Sequence, residues 1–181
     1  MMTGGHVQPL GRWSAEVVGA PPTVRRLGRH DLPAIEEHLL ALGPMDRHGR
    51  FHTCLGDAAI AGYVRRIDFG RMILVGAFDG PGGRIVGLAE AHLDDPLAPA
   101  AAEVSVSVLP SERRRGIGRR LVARAVDLAF ERGAGRAEFV FNPDNRALAR
   151  LVGALGGRVQ AARGYACIDQ PRPFAAERRA A

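Results

Sequence analysis

Residues 104–120 read VSVSVLPSERRRGIGRR, and the rest of the chain can be interpreted outward from this stretch. Three valines alternate with two serines over residues 104–108, which is the period of a β-strand, and β-branched side chains favour that conformation. Pro110 ends the strand, and an arginine cluster with two glycines then leads into an amphipathic helical pattern. Strand, turn and helix in this order place backbone N–H groups and the positive end of a helix dipole around one point. The stretch therefore predicts an anion site.

Two common phosphate-binding patterns do not fit the stretch. A P-loop requires Lys followed by Ser or Thr after its last glycine, whereas two arginines follow Gly118. A dinucleotide-binding fingerprint requires a third glycine at the position of Leu121. The pattern that remains is Arg113-x-x-Gly116-x-Gly118.

This pattern resembles the pyrophosphate loop of the GNAT superfamily of acyl-CoA-dependent N-acetyltransferases, which is written Gln/Arg-x-x-Gly-x-Gly/Ala. A second match follows it in the expected order. The family pattern Asn-x-x-Ala-x-x-Leu-Tyr-x-x-x-Gly-Phe agrees in spacing, though not in every identity, with Asn145, Leu148, Leu151, Val152 and Gly156. The resemblance covers roughly Val24 to Ile168. A shorter segment, Met45–Phe51, is similar to bacterial protein acetyltransferases that act on acyl-CoA synthetases.

The resemblance implies an α/β (α+β) fold with a mixed, mostly antiparallel sheet of six to seven strands, flanked by about four helices. We expect residues 1–22 to form a flexible arm, residues 23–169 the acetyltransferase domain, and residues 170–181 a flexible tail. From the residues themselves, Asp31 is predicted to cap the first helix, and Asp144 or Asn145 a later one. Residues 45–51 show no clear period, so no helix is predicted there.

The resemblance also implies the cofactor site. The central strand and its neighbour are expected to separate and to hold the pantetheine arm of acetyl-CoA, while the loop holds the pyrophosphate. The candidate cofactor-binding residues are Val106, Ser107, Val108, Arg113, Arg114, Arg115, Gly116, Ile117, Gly118, Arg119 and Asn145. Small glycines let the backbone approach the phosphates closely. No metal site is expected.

Glu103 is the candidate catalytic residue. An ammonium group has no lone pair, so an amine acceptor must lose a proton before it attacks the acetyl group. Glu103 resembles the strand glutamate that serves as general base in the bacterial protein acetyltransferases that act on acyl-CoA synthetases; an exposed carboxylate at a strand end is the alternative. Glu90 and Glu138 are reserve bases, with His92 a weaker one. Val152 stands where the family often has a tyrosine acid, and Tyr165 or water could take that role.

The implied activity is transfer of an acetyl group to a primary amine, either a protein lysine or a small molecule. A non-catalytic acyl-CoA-binding regulatory module is the alternative. Because dimers are common in the family, the resemblance also makes a homodimer a possible assembly. All 25 basic residues are arginine, and the net charge of +6 raises nucleic-acid binding as a rival, but no aromatic platforms lie among the arginines. Neither a nucleic acid nor a membrane is therefore an expected partner. Two isolated cysteines and the lack of a secretory pattern predict a cytoplasmic protein.

Overall fold

A computed structural model describes residues 22–171 of the chain. Within this range the strands are β1 Thr23–Arg26, β2 Met72–Phe78, β3 Ile85–Leu93, β4 Ala101–Val108, β5 Arg136–Val140, β6 Arg158–Gln160 and β7 Tyr165–Asp169. The α-helices of the same range are α1 Leu32–Leu40, α2 Pro44–Phe51, α3 Asp57–Arg65, α4 Ile117–Glu131 and α5 Arg146–Ala154. The strands form one sheet in the order β1-β2-β3-β4-β5-β7-β6.

The sheet is antiparallel except between β4 and β5, which run parallel. Its centre is apolar because every residue of β2 is buried, as is nearly all of β3. Helix α4 covers one face, where Ile117 and Leu121 approach Gly87. Helices α1 and α3 pack together, and α1 covers β3 on the other face. The predicted mixed, mostly antiparallel sheet is confirmed.

The prediction that residues 45–51 lack a helix is wrong, because α2 occupies them. Helix α2 buries none of its residues, so its sequence carries no apolar period to detect. Pro44 lies in its first turn, and Arg47 fixes the helix in place. The Arg47 guanidinium donates hydrogen bonds to three backbone carbonyls, those of Leu40, Leu42 and Leu55, at 2.8–3.0 Å.

The two capping predictions have different outcomes. The Asp31 side chain makes no capping bond to α1; it accepts from Gly28 N at 2.8 Å and pairs with Arg25 at 2.7 Å. This ion pair and hydrogen bond lower the pKa of Asp31. Asn145 does cap α5, accepting from Leu148 N at 3.1 Å. Asp144 therefore precedes the cap.

The predicted arm at residues 1–22 and tail at 170–181 lie outside the described residues, apart from residue 22 and residues 170–171. Within the described part of the chain, no helix has the length and hydropathy needed to cross a membrane.

Candidate active site

The two parallel strands β4 and β5 separate soon after they begin. Their register runs from Ala101 opposite Arg136 to Glu103 opposite Glu138, whereas β4 continues to Val108 in its pairing with β3. Within residues 22–171, no strand pairs with β4 on this side beyond Glu103. The predicted separation of the central strands is therefore present.

The register shows which backbone groups of β4 face the gap. Leu109 N donates to Val86 O, and directly opposed residues alternate between bonded and non-bonded pairs in an antiparallel ladder. Ser107 therefore points its backbone groups toward β3, while those of Val106 and Val108 point into the gap. The Val108 carbonyl accepts from Arg113 Nε at 3.0 Å. Val106 keeps both its N–H and its carbonyl directed at the gap.

The turn after β4 leads to the start of α4. Gly116 is the N-terminal cap residue, with φ of 75°, and Arg114 adopts the left-handed region with φ of 62°. A non-glycine residue rarely takes that conformation, and such residues concentrate at functional sites. The first N–H groups of a helix have no partner within the helix. Left-handed turn residues beside those groups form a backbone concavity that suits an anion.

A groove of about 770 Å³ runs from the β4–β5 gap to this turn. It is lined by ten of the eleven predicted cofactor-binding residues, namely Val106, Ser107, Val108, Arg113, Arg114, Gly116, Ile117, Gly118, Arg119 and Asn145. Arg115 is outside the lining, and its guanidinium pairs with Glu112. Arg150 of α5 also lines the groove and was not predicted.

Ser107 belongs to a buried pair that the sequence did not predict. His38 of α1 is 2% exposed, and its Nδ1 lies 3.0 Å from the carbonyl oxygen of Ile85. Because a carbonyl can only accept, Nδ1 carries the proton, and Nε2 of the neutral ring accepts from the Ser107 hydroxyl at 2.9 Å. Burial lowers the pKa of His38, which favours this neutral form. The Ser107 hydroxyl is thus hydrogen-bonded to His38 of α1.

A second cavity, of about 270 Å³, adjoins the groove and is called the acceptor pocket below. Its lining is Gly49, Arg50, Phe51, His52, Tyr63, Met72, Glu90, His92, Glu103, Val104, Ser105, Val106, Val140, Asn145 and Leu148. Five of these residues also line the groove, namely Gly49, Arg50, Val106, Asn145 and Leu148. The two cavities therefore share a wall at the β4–β5 gap.

The candidate bases have different environments. Glu103 is exposed in the acceptor pocket and faces solvent, and His92 lies opposite it on β3, also exposed. Glu138 lies beside Glu103 on β5, outside the lining of either cavity, and accepts from the Tyr165 hydroxyl at 2.8 Å. Glu90 is 3% exposed, and its Oε2 is engaged by Arg50 and Tyr63. Glu103 is the carboxylate of the pocket that makes no ion pair or hydrogen bond with the described residues.

Glu90 belongs to a buried cluster with Arg50 and Tyr63. The Arg50 guanidinium, with a side chain 8% exposed, pairs with Glu90 Oε2, and the Tyr63 hydroxyl donates to the same oxygen. Burial alone would lower the pKa of Arg50, but the charges of Glu90 and Tyr63 and the hydrogen bonds to them together raise that pKa. Burial and the Glu90 charge raise the pKa of Tyr63. Two buried atoms of the cluster, Arg50 Nε and Glu90 Oε1, make no hydrogen bond.

The possible general acids are placed away from the cavities. Val152 is fully buried in the core. Tyr165 lies outside the lining of both cavities, and burial together with its bond to Glu138 raises its pKa to about 12. Neither Val152 nor Tyr165 therefore lines the groove or the acceptor pocket. Among the described residues, no group of three or more His, Cys, Asp and Glu side chains is arranged to hold a metal ion.

Comparison with known proteins agrees with this architecture. The family model described as Acetyltransferase (GNAT) family matches residues 34–156. The GNAT domain of S. lividans PAT is 18% identical and has a TM-score of 0.65, over 82% of this chain and 90% of that chain. The putative acetyltransferase yncA from Salmonella typhimurium, with its cofactor acetyl-CoA, is 20% identical with a TM-score of 0.61, over 86% and 99%.

A phosphinothricin acetyltransferase from Sinorhizobium meliloti, in complex with acetyl-CoA, is 22% identical with a TM-score of 0.64, over 83% of this chain and 89% of that chain. No curated protein matches the chain significantly. At these identities the structural likeness establishes the fold, and the family match spans most of the chain.

Proposed function

The chain belongs to the GNAT family of acetyltransferases, and we propose that it moves an acetyl group from acetyl-CoA directly to a primary amine. The acceptor amine belongs either to a protein lysine or to a small molecule. The proposed location is the cytoplasm, and both a monomer and a homodimer are compatible with the proposal.

The groove is the proposed acetyl-CoA site. Its arginine-rich turn and the start of α4 supply N–H groups and positive charge for the pyrophosphate. The gap-facing N–H and carbonyl of Val106 are suited to the amide groups of pantetheine. Two proteins of the same fold, from Salmonella typhimurium and Sinorhizobium meliloti, are described with acetyl-CoA, which supports this assignment.

One observation carries the proposal of catalysis. The groove and the acceptor pocket share a wall at the β4–β5 gap, and Glu103 presents an unpaired carboxylate in that pocket. A thioester in the groove would therefore lie beside a base that can reach an amine directly or through one water. Proton transfer to a positioned base is the step that makes the amine nucleophilic.

The proposed reaction transfers the acetyl group in a single step from the thioester to the amine. Glu103 takes a proton from the ammonium group, and the amine nitrogen attacks the acetyl carbonyl carbon. A new C–N bond forms and the C–S bond breaks, so coenzyme A leaves as a thiolate. The extra proton on the attacking nitrogen passes through water to that thiolate, and Glu103 releases the first proton to solvent. A backbone N–H at the gap, such as that of Val106, is suited to stabilise the developing negative charge on the carbonyl oxygen.

The test is thiol release from acetyl-CoA by the purified chain in the presence of a panel of primary amines, with products identified by mass spectrometry. Amine-dependent thiol release and an acceptor that gains one acetyl group support the proposal. Acetyl-CoA binding without thiol release from any amine would support the regulatory module instead. Because the chain contains no lysine, acetylation of the enzyme's own lysines cannot complicate the product analysis.

A further inference from the structure

The acceptor pocket has an apolar wall. Phe51 and Tyr63 contact each other edge to face, with ring centroids 5.3 Å apart and an interplanar angle of 75°. Met72, Val140 and Leu148 extend this wall. Such a surface favours an acceptor whose carbon chain or ring is apolar.

The arginine charge at the wall of the pocket is already neutralised by an ion pair. Arg50 is the only arginine among the described residues that line it, and its guanidinium pairs with the buried Glu90. Nε of the same side chain is buried as well. The other nitrogen bases of the pocket lining are the exposed imidazoles of His52 and His92. A carboxylate entering this pocket would therefore lose water without gaining a cation in return, which is unfavourable.

Part of the negative charge at the wall of the pocket has no positive partner among the described residues. Arg50 and Glu90 cancel each other, so the unpaired Glu103 leaves the wall with one net negative charge when the histidines are neutral. That charge attracts an ammonium group and repels a carboxylate. The unpaired Glu103 and the ion-paired Arg50 therefore both favour an acceptor that carries an ammonium group and no carboxylate.

We propose that the acceptor pocket selects a primary amine that carries an apolar chain or ring and no carboxylate, and that it discriminates against free amino acids. This inference rests on the proposed function, because it specifies the acceptor of the same site. The volume of about 270 Å³ suits a small amine or the end of a lysine side chain. Both sources present an ammonium on an apolar stem.

Binding of matched ligands tests the selection. The full chain is saturated with coenzyme A, which cannot transfer an acetyl group, and titrated calorimetrically at pH 8 with phenethylamine or phenylalanine. These ligands differ only by the carboxylate. Phenethylamine should bind at least about tenfold more tightly, a difference of about 1.4 kcal/mol. A lysine derivative blocked at both its α-amino group and its carboxylate distinguishes a side-chain acceptor from a small amine.

Equal or tighter binding of phenylalanine would overturn the inference, as would the failure of both amines to bind. Weak phenylalanine binding beside clear binding of either amine supports it. Because this measurement uses the unaltered chain, it does not depend on the folding of any variant.

A variant tests the role of the buried pair. Glu90→Gln leaves the Tyr63 hydroxyl an oxygen to bond and removes the charge that engages Arg50, so the guanidinium can attract a carboxylate. The preference for phenethylamine over phenylalanine should shrink at least about tenfold. Glu131→Gln is the control, because it removes a carboxylate at the far end of α4 and should leave the preference unchanged. A folded Glu90→Gln variant with the original preference would refute the role given to Arg50.

Turnover separates this inference from the proposed function. If amines bind with the expected preference but no acetyl group is transferred, the proposed function fails and the selection stands. If free amino acids are acetylated more efficiently than their decarboxylated counterparts, the proposed function stands and the selection is wrong.

Discussion

The groove and the acceptor pocket share a wall but are built in different ways. Ten of the 21 residues that line the groove come from one continuous segment, residues 106–119, which ends in the turn and the exposed backbone N–H groups at the start of α4. The pocket is assembled from residues on α2, α3, α5 and four strands. A site made of backbone depends on glycine positions and turn geometry, whereas a site made of side chains depends on tertiary packing.

Helix α2 connects the two regions. Asp46 pairs with Arg113 of the groove at 2.5 Å, and Arg50, four residues later on the same helix, pairs with Glu90 of the pocket. Residues four apart lie on one helix face. Variants in the two regions should nevertheless separate ligand binding from folding, as the following predictions specify.

The largest expected effect is on folding, from the pocket. Arg50→Ala leaves Glu90 buried without its partner, which typically lowers the free energy of unfolding by about 3–5 kcal/mol. Arg124→Ala is the control, because Arg124 pairs with Glu131 at the surface and should change stability by less than about 1 kcal/mol. Chemical denaturation measures both. Equal losses would mean that the buried pair contributes no more than a surface pair.

The next effect is on ligand binding, in the groove. A Cβ at Gly118 would lie 3.3 Å from Leu151 Cδ1 and 3.8 Å from Val108 Cγ2, so Gly118→Trp forces an indole into the groove. Overpacking costs about 1–3 kcal/mol, and acetyl-CoA affinity should fall about hundredfold by calorimetry. Gly56→Trp, at a site where an added Cβ meets nothing within 4 Å, is the control. An unchanged affinity in Gly118→Trp would place the phosphates elsewhere.

A smaller effect distinguishes backbone strain from charge within the groove. Arg114 has a φ of 62°, a conformation that costs a side-chain-bearing residue about 1–2 kcal/mol and glycine little. Arg114→Gly should therefore weaken acetyl-CoA binding without the loss of stability that glycine causes elsewhere, about 0.4–1 kcal/mol. Arg115→Gly, at a position without positive φ, should show that loss. Equal melting temperatures for the two variants would contradict strain at Arg114.

The smallest effect is a pH dependence of stability. Burial lowers the pKa of His38 in the native chain. In the unfolded chain a histidine titrates at about pH 6.5, so the unfolded chain binds a proton at a higher pH than the native chain does. Stability from this group is present above that pH and is lost as the pH falls toward the depressed native value. Unfolding measured at pH 7.5 and 5.5 should show a smaller decrease in His38→Gln than in the native chain. The same decrease in both would mean that His38 does not contribute.

The residues that the sequence identified are those whose backbone position dictates their identity. Gly116 caps a helix at a positive φ, a Cβ at Gly118 would lie 3.3 Å from Leu151 Cδ1, and Asn145 caps α5. Each requirement restricts one position to one or two residue types, so a short pattern reveals it.

The residues that the sequence missed have identities set by contacts made across the fold. Arg50 lies on a helix without an apolar period, so nothing in the neighbouring sequence predicts that its guanidinium is buried. His38 has the appearance of a surface residue, next to Glu37, yet it is 2% exposed against Ser107, 69 residues away. Glu90 could be noticed as a carboxylate in an apolar strand, but its partners could not. Such contacts are visible only after α1, α2 and the sheet come together.

The most direct test of the division between groove and pocket is Glu103→Gln, measured for turnover and for acetyl-CoA affinity in the same preparation. The substitution keeps the shape of the side chain and removes the proton acceptor, while the groove is unchanged. Turnover should fall about hundredfold or more, with the affinity for acetyl-CoA unaltered. Full activity across the pH range in Glu103→Gln, together with loss of activity in Glu138→Gln or Glu90→Gln, would contradict the assignment of the base.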